Sequence, residues 1–204
     1  MVRERGCLDG QHARPATAGG TDDGARTPQL VAQAAALLLT LPDRDRAADP
    51  GERWNYSTGE TQVVGALVAA ATGMHVADYL SEKIWRPFGM ESDASWWLDA
   101  AHGLEIGGSG LSATLRDYAR FGLYMANNGV IDGVATLPDG WIDAATSPKT
   151  VAGENVDYGY MWWPLDSGAY AAIGIFGQFI YVHPDSNTVV AMWSAQPKPV
   201  GKDV

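Results

Sequence analysis

From Ser57 onward, apolar residues return with helical spacing, and Val63, Val64, Leu67, Val68 and Ala71 fall on one face. Ser57 with Glu60 three positions on has the form of a capping box, and Gly73 stands where a helix ends in a left-handed residue. The pattern predicts a helix to about Thr72 and a second from about Val76 to Trp85, closed by Pro87. Thr114 and Asp117 repeat the cap signal. Leu115, Tyr118, Ala119, Gly122 and Met125 then mark a helical face that Asn127-Asn128-Gly129 stops. Pro138 opens a short helix to Thr146. Beyond this the period changes from helical to alternating. Tyr158–Pro164, Ala169–Phe176, Gln178–Val182 and Thr188–Ala195 are predicted strands, with Asp185-Ser186-Asn187 supplying hairpin turn chemistry. Helices first and antiparallel strands last is the order of an α+β fold. No internal repeat is visible.

Ahead of residue 49 this pattern is missing. Residues 1–48 contain no Trp, Tyr or Phe, and every aromatic residue lies between Trp54 and Trp193. Residues 1–28 have almost nothing to bury and are expected to be disordered, and one helix is expected over 29–41. Two readings of 1–48 stand. It is a flexible N-terminal extension, or a stretch foreign to the ordered remainder, as a shifted reading frame or a wrong start would produce. The ordered domain is expected over 49–204.

Composition removes several classes of function. The 204 residues carry a formal charge of −10, and six arginines balance six acids within 1–48, so the whole excess belongs to 49–204. A nucleic-acid binder needs a basic face, so nucleic acid is not an expected partner. Cys7 is the only cysteine, which rules out an intrachain disulfide. His12, His75, His102 and His183 show no metal-ligand spacing, so neither a metal nor a cofactor is expected. No apolar stretch follows the charged opening residues as a secretory leader would require. The run Leu30–Leu41 is shorter than the roughly 20 residues of a membrane span. A cytoplasmic location is the resulting expectation; the oligomeric state is left open.

The stretch Trp54-Asn55-Tyr56-Ser57-Thr58-Gly59-Glu60 carries the candidate chemistry. A phenol on a loop directly before a helix lies near the positive end of the helix dipole, which favours a phenolate or a hydrogen bond to an oxyanion. The alternative is that Tyr56 is an anchor packed on the following helix. Trp96, Trp97, Trp162 and Trp163 either line a substrate cleft or belong to core and interface. Ser109 and Ser112 flank Gly110, but no histidine and acid accompany them in a recognisable arrangement.

PGERWNYSTGETQVVGALVAAATG resembles the tyrosine motif and following helix of the β-lactamase-related, penicillin-binding-protein-like serine hydrolases. DYLSEKIWRPFGMESDASW, GGSGLSATLRDYARFGLYMANNG and GIFGQFIYVHPDSNTVVAMWS resemble the blocks that come next in that family, in the same order. The resemblance runs over about residues 50–198, and the amide-hydrolase branch that includes the 6-aminohexanoate-dimer hydrolases is the nearest in character. It implies a partial β-lactamase/transpeptidase-like fold and hydrolysis of a small amide or ester through an acyl-enzyme. It makes Tyr56 the proton relay. Ser57, Thr58, Gly177, Gln178, Trp162 and Trp163 become oxyanion- or substrate-binding candidates.

The sequence departs from the family in three places. Thr58 stands where many relatives have Asn. Ile175-Phe176-Gly177 stands where β-lactamases have Lys-Thr-Gly, so the cation that would hold a β-lactam carboxylate is absent, which favours an amide or ester. The family's nucleophile lies in Ser-x-x-Lys. The residues three before Lys83, Lys149, Lys198 and Lys202 are Leu80, Thr146, Ala195 and Pro199, so the motif does not occur. A phenol with a pKa of about 10 is a poor base without an adjacent ammonium. The expectation is a C-terminal family piece that is inactive as it stands. A non-catalytic binding module or pseudoenzyme, or a non-functional truncated product, is the alternative.

Overall fold

The computed structural model describes residues 2–6, 46–100 and 103–199. They fall into two compact units. The described part of the first is 2–6, 46–49, 55–100 and 103–113; that of the second is 50–54 and 114–199.

In the first unit, strand β1 (Val2–Gly6) pairs in parallel with β2 (Ala94–Leu98), and β2 pairs antiparallel with β3 (Leu111–Ser112). Strand β1 lies within the opening residues expected to be disordered, and the helix expected over 29–41 lies outside the described residues. Helix α1 (Thr58–Thr72) forms where the caps predict it. The Ser57 hydroxyl accepts the Glu60 N–H at 3.3 Å, and Gly73 closes the helix at φ 67° with its N–H on Ala69 O. Only a left-handed residue lets the chain turn there, and glycine adopts that conformation without penalty. Helix α2 (Val76–Leu80) continues as a π-helical turn, Ser81–Trp85, and this arm makes an angle of 72° with α1.

The buried face of α1 is not the predicted one. Ala66 and Ala69 are buried with Leu104, while Val64 and Leu67 are exposed. The reason is the approach of the loop that follows β2. A Cβ on Gly107 would lie 2.7 Å from Thr61 O and one on Gly65 would lie 3.1 Å from Gly107 Cα, so only the small-residue face can meet this loop. A second cluster, Ala77, Trp85 and Ala94, fills the space between α2 and β2, and the Trp85 indole N–H donates to Ser92 O at 2.8 Å.

The second unit is built on a four-stranded antiparallel sheet, β8 (Trp163–Pro164), β9 (Tyr170–Ile173), β10 (Phe179–His183) and β11 (Thr188–Met192), in the order β11-β10-β9-β8. Helix α3 (Leu115–Ala126) packs on β10 and β11 through Gly122, which faces Val189, Ile180 and Val182. Thr114 caps it as predicted: its hydroxyl accepts the Asp117 N–H at 3.2 Å and donates to the Asp117 carboxylate at 2.8 Å. Two small hairpins follow: β4 (Val130–Ile131) with β5 (Val134–Ala135), and β6 (Lys149–Val151) with β7 (Glu154–Val156). Helix α4 (Trp141–Thr146) starts later than Pro138, because Gly140 at φ 71° is still outside the helix. The predicted strand Tyr158–Pro164 shrinks to β8, since the Gly159 N–H donates to Trp162 O and Met161 takes φ 67°. The helices and antiparallel strands make this an α+β chain. Among the described residues no single helix is long and apolar enough to cross a membrane.

Candidate active site

Tyr56 lies on an irregular segment immediately before the N-cap of α1, and its side chain is exposed. Ser57 is engaged as the cap, and its carbonyl accepts both the N–H and the hydroxyl of Thr61, at 3.3 and 3.2 Å. Thr58 is the first helical residue, and its methyl sits against Gly108, where a Cβ would lie 2.8 Å away. The Gly107-Gly108-Ser109-Gly110 loop therefore braces the first turn of α1. Gln62 locks the two together: its amide nitrogen donates to Glu105 O at 3.0 Å, and its oxygen accepts the Gly107 N–H at 2.6 Å. The side chain completes two backbone groups that no strand pairs. Gly107→Ala must move backbone rather than side chain. It is expected to destabilise the first unit by roughly 1–3 kcal/mol, measurable as a shift of the urea midpoint at unchanged m. A midpoint within error of the parent would show that the loop does not bear on α1.

Gly177 and Gln178 belong to the second unit. They lie in the turn joining β9 to β10; alternation left Gly177 between strands but placed Gln178 on one, and the strand starts one residue later, at Phe179. The Gly177 N–H donates to Gly174 O at 2.9 Å, and Gly174 N–H donates to Gln178 O at 2.7 Å. Gly177 has φ 83°, a conformation other residues rarely adopt, so the backbone favours glycine there; a Cβ would meet only side-chain atoms, the nearest Gln196 Nε2 at 2.8 Å. The Gln178 side chain folds back over the turn and accepts the Phe176 N–H at 3.1 Å.

Trp162 is buried. It stacks on Phe121 with ring centroids 6.3 Å apart and meets Tyr170 edge-on at 5.2 Å. Its burial agrees with the core alternative of the two left open for the tryptophans. Trp163 is the half-exposed member of the pair. It meets Tyr158 edge-on at 4.8 Å, and Tyr158 in turn meets the exposed Trp54 at 6.2 Å. Burial pushes the Tyr170 phenol up to about 12, so it stays neutral and takes no part as a base.

A family profile described as Beta-lactamase matches residues 8–204. The chain belongs to the β-lactamase family. The match includes residues ahead of the stretch 50–198 that carries the motif resemblance. The 6-aminohexanoate-dimer hydrolase of Paenarthrobacter ureafaciens is 28% identical over an alignment of 158 residues that covers 72% of this chain and 40% of that protein. A solved Bacillus anthracis structure, assigned as a 6-aminohexanoate-dimer hydrolase, superposes with a TM-score of 0.71 at 25% identity. That superposition covers 91% of this chain and 53% of the other. A penicillin-binding protein homologue from Caulobacter crescentus shares the fold, with a TM-score of 0.61 at 16% identity, over 87% of this chain and 61% of its own. The chain thus spans about half the length, or less, of the first two of these relatives.

One buried polar pair of this β-lactamase-family chain escaped the sequence reading. The Glu105 side chain is fully buried. Its Oε1 accepts the Ala77 N–H at 3.0 Å and lies 3.5 Å from His75 Nδ1. His75 is the N-cap of α2 but its own side chain does not cap it, so this distant carboxylate satisfies the orphan amide instead. Burial pushes the Glu105 carboxyl up, but the contact with His75 and the Ala77 N–H outweigh it and hold the group below its ordinary range. An acid in the otherwise apolar run Gly103-Leu104-Glu105-Ile106-Gly107 was the signal available.

Proposed function

We propose that the chain carries the tyrosine and turn elements of a serine hydrolase that cleaves a small amide or ester through an acyl-enzyme, and that these 204 residues do not themselves acylate. The observation that carries this reading is a pairing of presence and absence. Tyr56 stands directly before the capped start of α1, and no serine in the sequence is followed three residues later by a lysine. Acyl transfer of this kind needs a hydroxyl activated by a neighbouring base, and the members of such a unit lose almost all their effect when one is missing. Tyr56 takes the proton-relay role. Gly177 and Gln178, in their tight turn, take the oxyanion-side role that the resemblance implies. The relatives' names favour a linear ω-amino amide, and Ile175-Phe176 in place of a cationic motif agrees with a substrate that lacks a β-lactam carboxylate.

A second reading, a binding module without catalysis, is favoured by the Trp54–Tyr158–Trp163 aromatic cluster. Titration with 6-aminohexanoate dimer, followed by tryptophan fluorescence and by chromatography of the mixture, separates the two. The first reading expects no 6-aminohexanoate released and a fluorescence response no larger than with an unrelated amide. A saturable response lost in Trp163→Ala, again without product, would favour the binding module. Release of product would overturn the claim that these residues do not acylate.

A further inference from the structure

We propose that His75 and Glu105 form a pH-sensitive latch that holds the Leu104–Gly110 loop on the α1–α2 bend, closed while the imidazole is protonated and loosened when it is not. The proposal is independent of any chemistry at Tyr56. Glu105 is a single residue with two holds. Its side chain reaches Ala77 and His75 at the start of α2, and its backbone carbonyl takes the Gln62 amide from α1. Beyond it, Gly107 is tied to Gln62, and the Trp96 indole N–H donates to Ile106 O and to Ser109 O, both at 3.0 Å. Anything that loosens Glu105 is therefore transmitted to the whole loop.

The charge arrangement makes this latch sensitive. The Glu105 side chain has no exposure, and Oε2 makes no hydrogen bond. A buried carboxylate with one amide donor needs the opposing charge to remain ionised at low cost. The His75 side chain keeps 17% exposure, so a proton can leave it without unfolding. Histidine is the side chain whose charge ordinarily changes between about pH 5 and 8, and a buried carboxylate beside it favours the protonated form. The surrounding elements carry few other charges. Asp99 accepts the Leu104 N–H at 2.8 Å, Asp78 follows on α2, and Glu82 pairs with Lys83 on the exposed side of the π-helical turn. Glu60 is exposed on α1. Strand β1, which packs near α2, carries Arg3, Glu4 and Arg5. Of the three other histidines, His102 is the one near Glu105 in sequence, so its signal must be separated from that of His75.

The test is nuclear magnetic resonance of the full chain between about pH 5.5 and 8.5. The Trp96 indole N–H is the loop reporter, and amide exchange at Ala77 and Gly107 measures the latch. The expected result is a Trp96 shift with the same midpoint as the His75 imidazole, and about tenfold lower protection at both amides on the alkaline side, after correction for intrinsic exchange. The response should vanish in Glu105→Gln and in His75→Gln and persist in His102→Gln. A His75 imidazole that keeps one protonation state across the range would overturn the proposal even if neither variant folds. A response that survives His75→Gln, or disappears in His102→Gln, would also overturn it.

Discussion

Hydrolysis of p-nitrophenyl acetate and of nitrocefin by the purified chain is expected to match that of its Tyr56→Phe variant, with no initial burst from either. A phenol contributes to acyl transfer by moving a proton between a nucleophilic hydroxyl and a leaving group. When the nucleophile of such a unit is removed, about a millionfold of rate disappears, and removing a further member changes little. The sequence contains no Ser-x-x-Lys, and the serine nearest the tyrosine, Ser57, is occupied as the helix cap. Removing the Tyr56 hydroxyl should therefore subtract nothing measurable. A parent rate ten or more times that of Tyr56→Phe would mean that another group in these residues supplies the nucleophile.

Glu105→Ala is expected to cost the first unit about 3 kcal/mol, a large share of the stability of an ordinary domain. The substitution removes the acceptor for the Ala77 N–H and the charge facing His75, and it leaves a gap beside Leu104. Glu105→Gln keeps an acceptor for Ala77 and loses only the charge, so its cost should be clearly smaller. The pH dependence follows from the direction of the shift. The folded carboxyl lies below its ordinary value near 4.5, so its contribution is present above that value while His75 keeps its proton, and fades as the pH falls through and below it. Urea unfolding at several pH values checks both points. Parent and Glu105→Ala curves should lie furthest apart on the mildly acid side of neutrality, where His75 is protonated and Glu105 ionised, and converge in stronger acid. Curves equally spaced from neutrality into acid would show that the carboxylate's charge is not what matters.

Much of the fold was legible because its signals are local. Ser57, Gly73 and Thr114 act within one helical turn, and the structure uses each as the pattern indicates. Asn187 at φ 49° likewise closes the β10–β11 hairpin where Asp185-Ser186-Asn187 suggested. Asp132-Gly133, with φ 49° and 80°, is an equally local hairpin signal that went unread between β4 and β5. What could not be read depends on partners far away in sequence. The buried side of α1 is decided by the Gly107 loop, which admits Ala66 and Ala69 and leaves Leu67 outside. The pairing of β1 with β2 joins segments almost ninety positions apart, beyond the reach of periodicity. The site divides along the same line. The place of Tyr56 before α1 was legible because its helix start is local. The burial of Trp162 against Phe121 and Tyr170, and the His75–Glu105 pair, exist only once the chain has folded.

The central claim, a β-lactamase-family chain that holds the tyrosine element without a working nucleophile, is tested most directly by intact-mass spectrometry after incubation with an excess of an activated ester. The account predicts an unchanged mass for the parent chain at times when a family acyl-enzyme would accumulate. A stoichiometric adduct of one acyl group, mapped to a serine and abolished in Tyr56→Phe, would contradict it.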